Sequence, residues 1–221
     1  MRLEVWNAGR MGYADAYRIQ TQWMAARIAG GDAHPDRFLL VEHDPVYTLG
    51  RHAEKGNLLW NPADLASRGI DVVQTDRGGQ VTYHGPGQVT GYPIVKLSVR
   101  RGQGVAWYVH GLEEVLIRTL RHFGLDGKRD AINPGVWLGR DKVAAIGVRV
   151  QRQVTMHGFA LNVRANLEHY DGIIPCGIRE RGVTSMHAHC VGLTRADVIP
   201  VLIASFGDVF GYPGIVFRDK E

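Results

Sequence analysis

The sequence predicts an α+β fold, a mixed and largely antiparallel sheet flanked by helices, in a single domain over residues 1–221. Three observations carry that expectation. Strand-like segments follow one another through turns too short to hold a crossover helix, at 85–87, at 139–141 and at a polar bend near Arg152, so those neighbours must pair antiparallel. Four helical patterns stand apart from these strands. No internal repeat, low-complexity tract or polar linker divides the chain.

Taken in order, "YADAYRIQTQWMAARIAGG" carries an apolar stripe at helical spacing and stops at Gly30 and Gly31. "RFLLVEH" reads as a strand. "NPADLASRG" is a short helix with Asn61 as cap, Pro62 in the first position and Gly69 past the end. The strands "IDVVQT", "QVTYH" and "QVTGYPIVKL" follow. In "GVAWYVHGLEEVLIRTLRHFG", Val105, Val109, Leu112, Leu116 and Leu120 fall on one side of a helix that ends at Gly124. Then come the strands "GVWL", "KVAAIGVRVQ" and "VTMHGFALNV". The final helix, "TRADVIPVLIASFGDVFG", opens with Thr194 and Asp197 at capping-box spacing, and Pro200 is expected to kink or shorten it.

At 221 residues and 45% hydrophobic content the chain can bury a sizeable core. The 26 Lys and Arg against 22 Asp and Glu are scattered, which favours acidic protein partners slightly and argues against nucleic acid. The opening "MRLEVWNAGR" lacks the apolar core of a signal peptide, and "VIPVLIASF" is far short of the roughly 18 residues of a membrane span. A cytoplasmic protein without membrane attachment is expected. Two cysteines, Cys176 and Cys190, give no disulfide framework.

Three segments invite chemistry. In "RGGQVTYHGPGQVTGYP", Gly78, Gly79, Gly85 and Gly87 would let backbone approach a ligand, although a hairpin whose turn needs glycine explains them equally well. No Gly-Lys-Ser/Thr follows, so a phosphate-binding P-loop does not fit. In "GRDKVAAIGVRVQ", regular alternation puts Lys142 on the face of Ala144, Ile146, Val148 and Val150, with Val143, Ala145, Gly147 and Arg149 on the other. Desolvation on an apolar face would favour the neutral, basic amine; the alternative is an edge lysine with its head in water. In "DGIIPCGIRERGVTSM", Cys176 is by default a small buried hydrophobe. Its setting between Ile173–Ile174 and a charged loop, with Gly177 offering a backbone N–H and Arg179 and Arg181 nearby, instead suits a thiolate. His187, His189 and Cys190 in "MHAHC" are conceivable metal ligands, but no second ligand pair accompanies them and no metal is expected. His43, His84 and His157 are isolated; each could order a site or merely satisfy backbone.

Together, "VEHDPVYTLGR", "DRGGQVTYHGPGQVTGYPI", "GVWLGRDKVAAIGVRV", "HGFALNV" and "IIPCGI" with "GVTS" resemble, in order, the lipoate-protein ligase B family of octanoyl-[acyl-carrier-protein]:protein N-octanoyltransferases, across about residues 38–185. The resemblance implies the biotin/lipoate ligase catalytic fold, no cofactor, octanoyl-acyl carrier protein as donor, and lipoyl domains and the glycine-cleavage H protein as acceptors. It puts the acyl-thioester nucleophile on Cys176 and the lysine that activates it on Lys142. It puts substrate contacts on Arg77, Gly78, Gly79, Gln80, Val81, Thr82, Tyr83 and His84, on Ala145, Ile146 and Gly147, and on Gly158, Phe159 and Ala160. Two rivals stand beside this reading: an ATP-dependent lipoate or biotin ligase on the same fold, which would need no cysteine, and a silent protein that binds acyl chains or acidic carrier domains.

Overall fold

A computed structural model describes residues 2–131, 133–175 and 181–218. The strands are β1 (Leu3–Arg10), β2 (Asp36–Glu42), β3 (Val46–Leu49), β4 (Asp71–Gln74), β5 (Val81–His84), β6 (Gln88–Ile94), β7 (Lys128–Arg129), β8 (Gly135–Leu138), β9 (Asp141–Gln151), β10 (Val154–Asn162) and β11 (Ile215–Phe217). The helices are α1 (Tyr13–Gly30), α2 (Pro62–Ser67), α3 (Val105–His122), α4 (Met186–His189) and α5 (Arg195–Phe210).

The strands form an eight-stranded sheet in the order β11-β1-β2-β6-β10-β9-β8-β7 and a three-stranded sheet in the order β4-β3-β5. From β2 to β7 the larger sheet is antiparallel; β1 runs parallel to both β2 and β11, and β3 runs parallel to β4. The fold is therefore the mixed, largely antiparallel α+β architecture that the turns at 139–141 and near Arg152 require; the strands on either side of 85–87, β5 and β6, do not pair as expected, because that turn carries the chain from the smaller sheet to the larger one.

Alternation along β2 shows how the layers are made. Phe38 and Leu40 enter a core with Tyr108, Leu112 and Leu116 of α3 and Leu202 and Phe206 of α5. Leu39 and Val41 meet Ala16, Ile19 and Met24 of α1 on the opposite face. Helices thus cover both faces of the larger sheet. The smaller sheet has its own core, in which Tyr47, Val81 and Tyr83 pack with Leu65 of α2, Tyr170 and Ile173.

The helix ends follow their signals. Asn61 accepts from the backbone of Ala63 and Asp64 at the start of α2, and Thr194 and Asp197 cap α5 reciprocally. Pro200 does not shorten α5, which runs on to Phe210: in the second turn its missing N–H costs one bond that the apolar contacts of Leu202, Ile203 and Phe206 outweigh. Val105, expected on the buried stripe of α3, is half exposed because it begins the helix beyond the edge of the core. Arg152 and Gln153 both adopt positive φ in the two-residue turn joining β9 to β10, the conformation that keeps a tight hairpin aligned with the twist of its strands.

Candidate active site

The floor of the site is the β9–β10 hairpin. Its register pairs Ala145 with Ala160, Gly147 with Gly158 and Val148 with His157. Small side chains leave this face of the sheet empty where α1 does not reach. The closeness is real: a Cβ on Gly147 would lie 3.0 Å from the Gly78 carbonyl oxygen, and one on Gly158 would lie 2.2 Å from that of Gly91.

The roof is residues 77–80, leading into β5. Gly78 donates to the Val148 carbonyl at 3.0 Å, and the buried Arg77 guanidinium holds Thr48 of β3 through its hydroxyl and carbonyl. Between roof and floor lies a narrow cavity of about 40 Å³, lined by Arg77, Gly79, Gln80, Val81, Thr82, His84, Ala145, Ile146, Gly147, Gly158, Phe159 and Ala160, together with Tyr13, Tyr92 and His157. Ile146 and Phe159 turn their side chains to the α3–α5 core, so they offer the cavity their backbone. Gly78 and Tyr83 do not line it. Alternation along β5 sends Tyr83 to the opposite side, where its hydroxyl lies 2.8 Å from His169 Nδ1.

Lys142 is 5% exposed, but it does not share the face of Ala144, Ile146 and Val148. Val136 pairs with Ala144 and the next residue, Trp137, pairs with Lys142, so Val143 is an extra residue in the strand. This β-bulge reverses the parity on its far side. Val143 and Ala144 both enter the α3 core, and Lys142 falls with Ala145, Gly147 and Arg149 on the cavity face. Its Nζ lies 3.3 Å from the Pro134 carbonyl and 4.8 Å from the centre of the Trp137 ring, which the Arg181 guanidinium also covers, at 3.5 Å.

Cys176, Gly177 and Arg179 lie outside the described residues, but both flanks of that segment are described. On the N-terminal side, Ile174 donates to the Asn57 carbonyl at 2.9 Å, and the Asn57 side chain donates to Gln80 in the cavity wall. On the C-terminal side, Lys142 donates to Gly182 at 3.0 Å and accepts from Thr184 at 2.9 Å, and Val183 bridges to Lys142. Arg181 reaches Asp130 and the Arg140 carbonyl.

At the other end of the hairpin, His157 has φ +59° in mid-strand, which a non-glycine residue adopts at a cost of roughly 1–2 kcal/mol. By parity His157 belongs with Phe159 and Leu161 in the α3–α5 core. Its ring instead reaches the opposite side, with Nε2 2.7 Å from Asp76 Oδ1 and the Tyr17 ring 5.9 Å away. Burial holds the His157 imidazole below its ordinary pKa against the opposing pull of Asp76. For Asp76, partial burial works upward, yet His157, Arg149 and Tyr17 together hold its carboxyl below the usual range. Burial lowers His43 to about 4 and His84 well below 6.5, so the wall beside Tyr13 and Tyr92 is built of neutral imidazoles.

Tyr13, Tyr92 and Asp76 gave no functional signal in the sequence, because only the packing of α1 and the roof on the sheet brings them to the hairpin. His157 was visible only as one isolated histidine. The "MHAHC" stretch forms α4, where His189 Nε2 lies 3.1 Å from Thr184 Oγ1. Among the described residues no group of three or more His, Cys, Asp or Glu is placed to hold a metal ion. Nor is any described helix long and apolar enough to cross a membrane.

Comparison with known proteins bears on family and fold. An octanoyltransferase of Alkaliphilus metalliredigens is 46% identical over 217 residues, covering 96% of this chain and 97% of that one. An octanoyltransferase of Gloeobacter violaceus is 47% identical over 203 residues, covering 92% and 88%. Among solved structures, lipoate-protein ligase A bound with ATP superimposes with a TM-score of 0.76 at 16% identity, covering 100% of this chain and 89% of that one. A chain from the structure of a bipartite lipoate protein ligase and its E2 lipoyl domain from Thermoplasma acidophilum gives 0.74 at 15% identity, covering 100% and 87%. These two likenesses bear on the fold. The lipoyl protein ligase A/B catalytic domain family model matches residues 13–207, and with relatives this similar over nearly the whole chain, the protein belongs to that family.

Proposed function

We propose that the chain, acting as one domain over 1–221, transfers an octanoyl group from octanoyl-acyl carrier protein to a lysine of lipoyl domains and the glycine-cleavage H protein. The relatives named octanoyltransferases support acyl transfer in lipoyl attachment. The finer reading is a ping-pong reaction without ATP. The Cys176 thiolate attacks the carrier thioester, the acyl–sulfur bond to the carrier breaks, and the departing carrier thiolate takes a proton from the Lys142 ammonium, which is left as the free amine. The acceptor lysine then attacks the Cys176 thioester, forming the amide and releasing the thiolate. The first step exchanges one thioester for another, and the second runs downhill to an amide.

The observation that carries this reading is the anchoring of the segment around Cys176. One flank is tied through Asn57 to Gln80 in the cavity wall, and the other is hydrogen-bonded to the backbone of Lys142. A thiolate there would have the Lys142 ammonium as its counter-charge. As a free amine, Lys142 would take the proton of the attacking lysine. The small-residue slot, about 40 Å³ in this structure, would widen to hold the acyl chain, each buried methylene contributing about 0.8 kcal/mol.

The test is mass spectrometry of the whole chain after incubation with octanoyl-acyl carrier protein and no ATP. An octanoyl adduct is expected on the wild type and not on Cys176→Ala, and Lys142→Ala should load at least ~100-fold more slowly with its fold intact. An adduct that survives Cys176→Ala, or transfer that requires ATP, would overturn the proposal.

A further inference from the structure

The floor of the cavity changes character at adjacent levels of the two strands, His157 lying opposite Val148 and Arg149 opposite Met156. Along β9 the residues on the cavity face run Ala145, Gly147, Arg149. Along β10, Ala160 and Gly158 give way to His157, whose positive φ swings a ring that parity would bury on the other side into the cavity wall. The bulky side chains that end the two small-residue rows are joined: His157 Nε2 lies 2.7 Å from Asp76 Oδ1, and Arg149 donates to the other oxygen of the same carboxylate. Tyr17 Oη, 3.3 Å from that second oxygen, closes the group from α1. The His157 side chain is only 2% exposed, while Asp76 and Arg149 behind it are partly open to solvent, so the ring is the packed member of the group.

The position of the wall is a length. From the Ala145–Ala160 pair, on the Lys142 side, to the Val148–His157 pair is three strand residues, about 10 Å, which is also the length of a fully extended eight-carbon acyl chain. We propose that His157, braced by Asp76 and Arg149, closes the far end of the acyl slot and is the residue that sets its chain-length limit. This rests on the acyl-transfer reading above. A ring fixed through Nε2 to a carboxylate that Arg149 holds in turn is a hard stop, whereas an aliphatic residue with free rotamers would yield to a longer chain. The left-handed backbone at position 157 fits the same role, since it turns that side chain to this face without adding a residue to the strand.

The test compares loading of the full chain by hexanoyl-, octanoyl-, decanoyl- and dodecanoyl-acyl carrier protein for wild type, His157→Gly and His157→Asn. Both replacements tolerate positive φ, so they remove the ring without forcing the backbone. The wild type should fall off beyond eight carbons. In His157→Gly the dodecanoyl-to-octanoyl ratio of kcat/KM should rise about tenfold or more, with His157→Asn between. An unchanged ratio in both variants overturns the inference, as does a parallel loss at every length with a lowered Tm, which marks a merely structural histidine. If the wild type loads no acyl group of any length, the acyl-transfer reading itself fails and takes this inference with it.

Discussion

The two ends of the β9–β10 hairpin solve the same problem in different ways. Each must bring a large polar side chain to a face that alternation keeps small. At one end an extra residue, Val143, shifts the parity and delivers Lys142; at the other, one left-handed residue turns His157 around without changing the register. The first device displaces everything beyond it, and the second redirects a single side chain. Regular alternation supplies the space in this site, and departures from it supply the chemistry.

The largest effect should come from undoing the first device. Exchanging the pair, Lys142→Val with Val143→Lys, keeps composition and moves the amine into the α3 core, where Val143 is fully buried. Acyl loading should drop at least ~100-fold, and denaturant unfolding should show a loss of several kcal/mol, about 3 or more, for an uncompensated buried charge. Loading near the wild-type rate would mean that the bulge does not determine where the lysine acts.

The imidazole end should be the acid-sensitive one. His43, His84 and His157 are all held neutral by burial. Below about 6.5 the unfolded chain takes up protons that the folded chain refuses, so stability is full above that value and falls with pH until His43 itself titrates at about 4. Between pH 6.5 and 5 His43 alone should cost roughly 2 kcal/mol, measured by denaturant unfolding across that range. A flat profile would contradict the burial of these rings. The smallest effect belongs to Trp137, whose ring lies against both Lys142 and Arg181. Trp137→Leu should slow both octanoyl loading and alkylation of Cys176 by up to about tenfold, with Trp137→Phe restoring part of each rate. Equal rates in all three proteins would remove the ring from the site.

Much of this was legible in the sequence. Asn61 with Pro62 and Thr194 with Asp197 marked their helices, and the short turns at 139–141 and near Arg152 pointed to antiparallel pairing, whereas the turn at 85–87 joins strands of two different sheets. Residues in the stretches "KVAAIG" and "HGFA", where the resemblance put substrate contacts, do line the cavity. What was not legible has physical causes. A bulge leaves no mark in a pattern of alternating residues, so Lys142 was assigned the wrong face. Positive φ at a histidine is invisible before folding. The pairing of β3 with β4 and the strands β1 and β11 depend on parallel contacts between distant segments, which no local turn announces. Arg77, expected only as a substrate contact, also ties the roof to Thr48, a use that spacing cannot reveal.

The segment that carries position 176 leaves the neighbourhood of the smaller sheet at Ile173, which bridges to Leu58, and arrives at the larger sheet at Val183, which bridges to Lys142. In the proposed reaction, the meeting of thiol and lysine would therefore depend on how the two separately cored sheets sit against each other. On that reading, a slip of one sheet against the other would slow the reaction with no residue replaced, and the weak point would be mechanical before it is chemical.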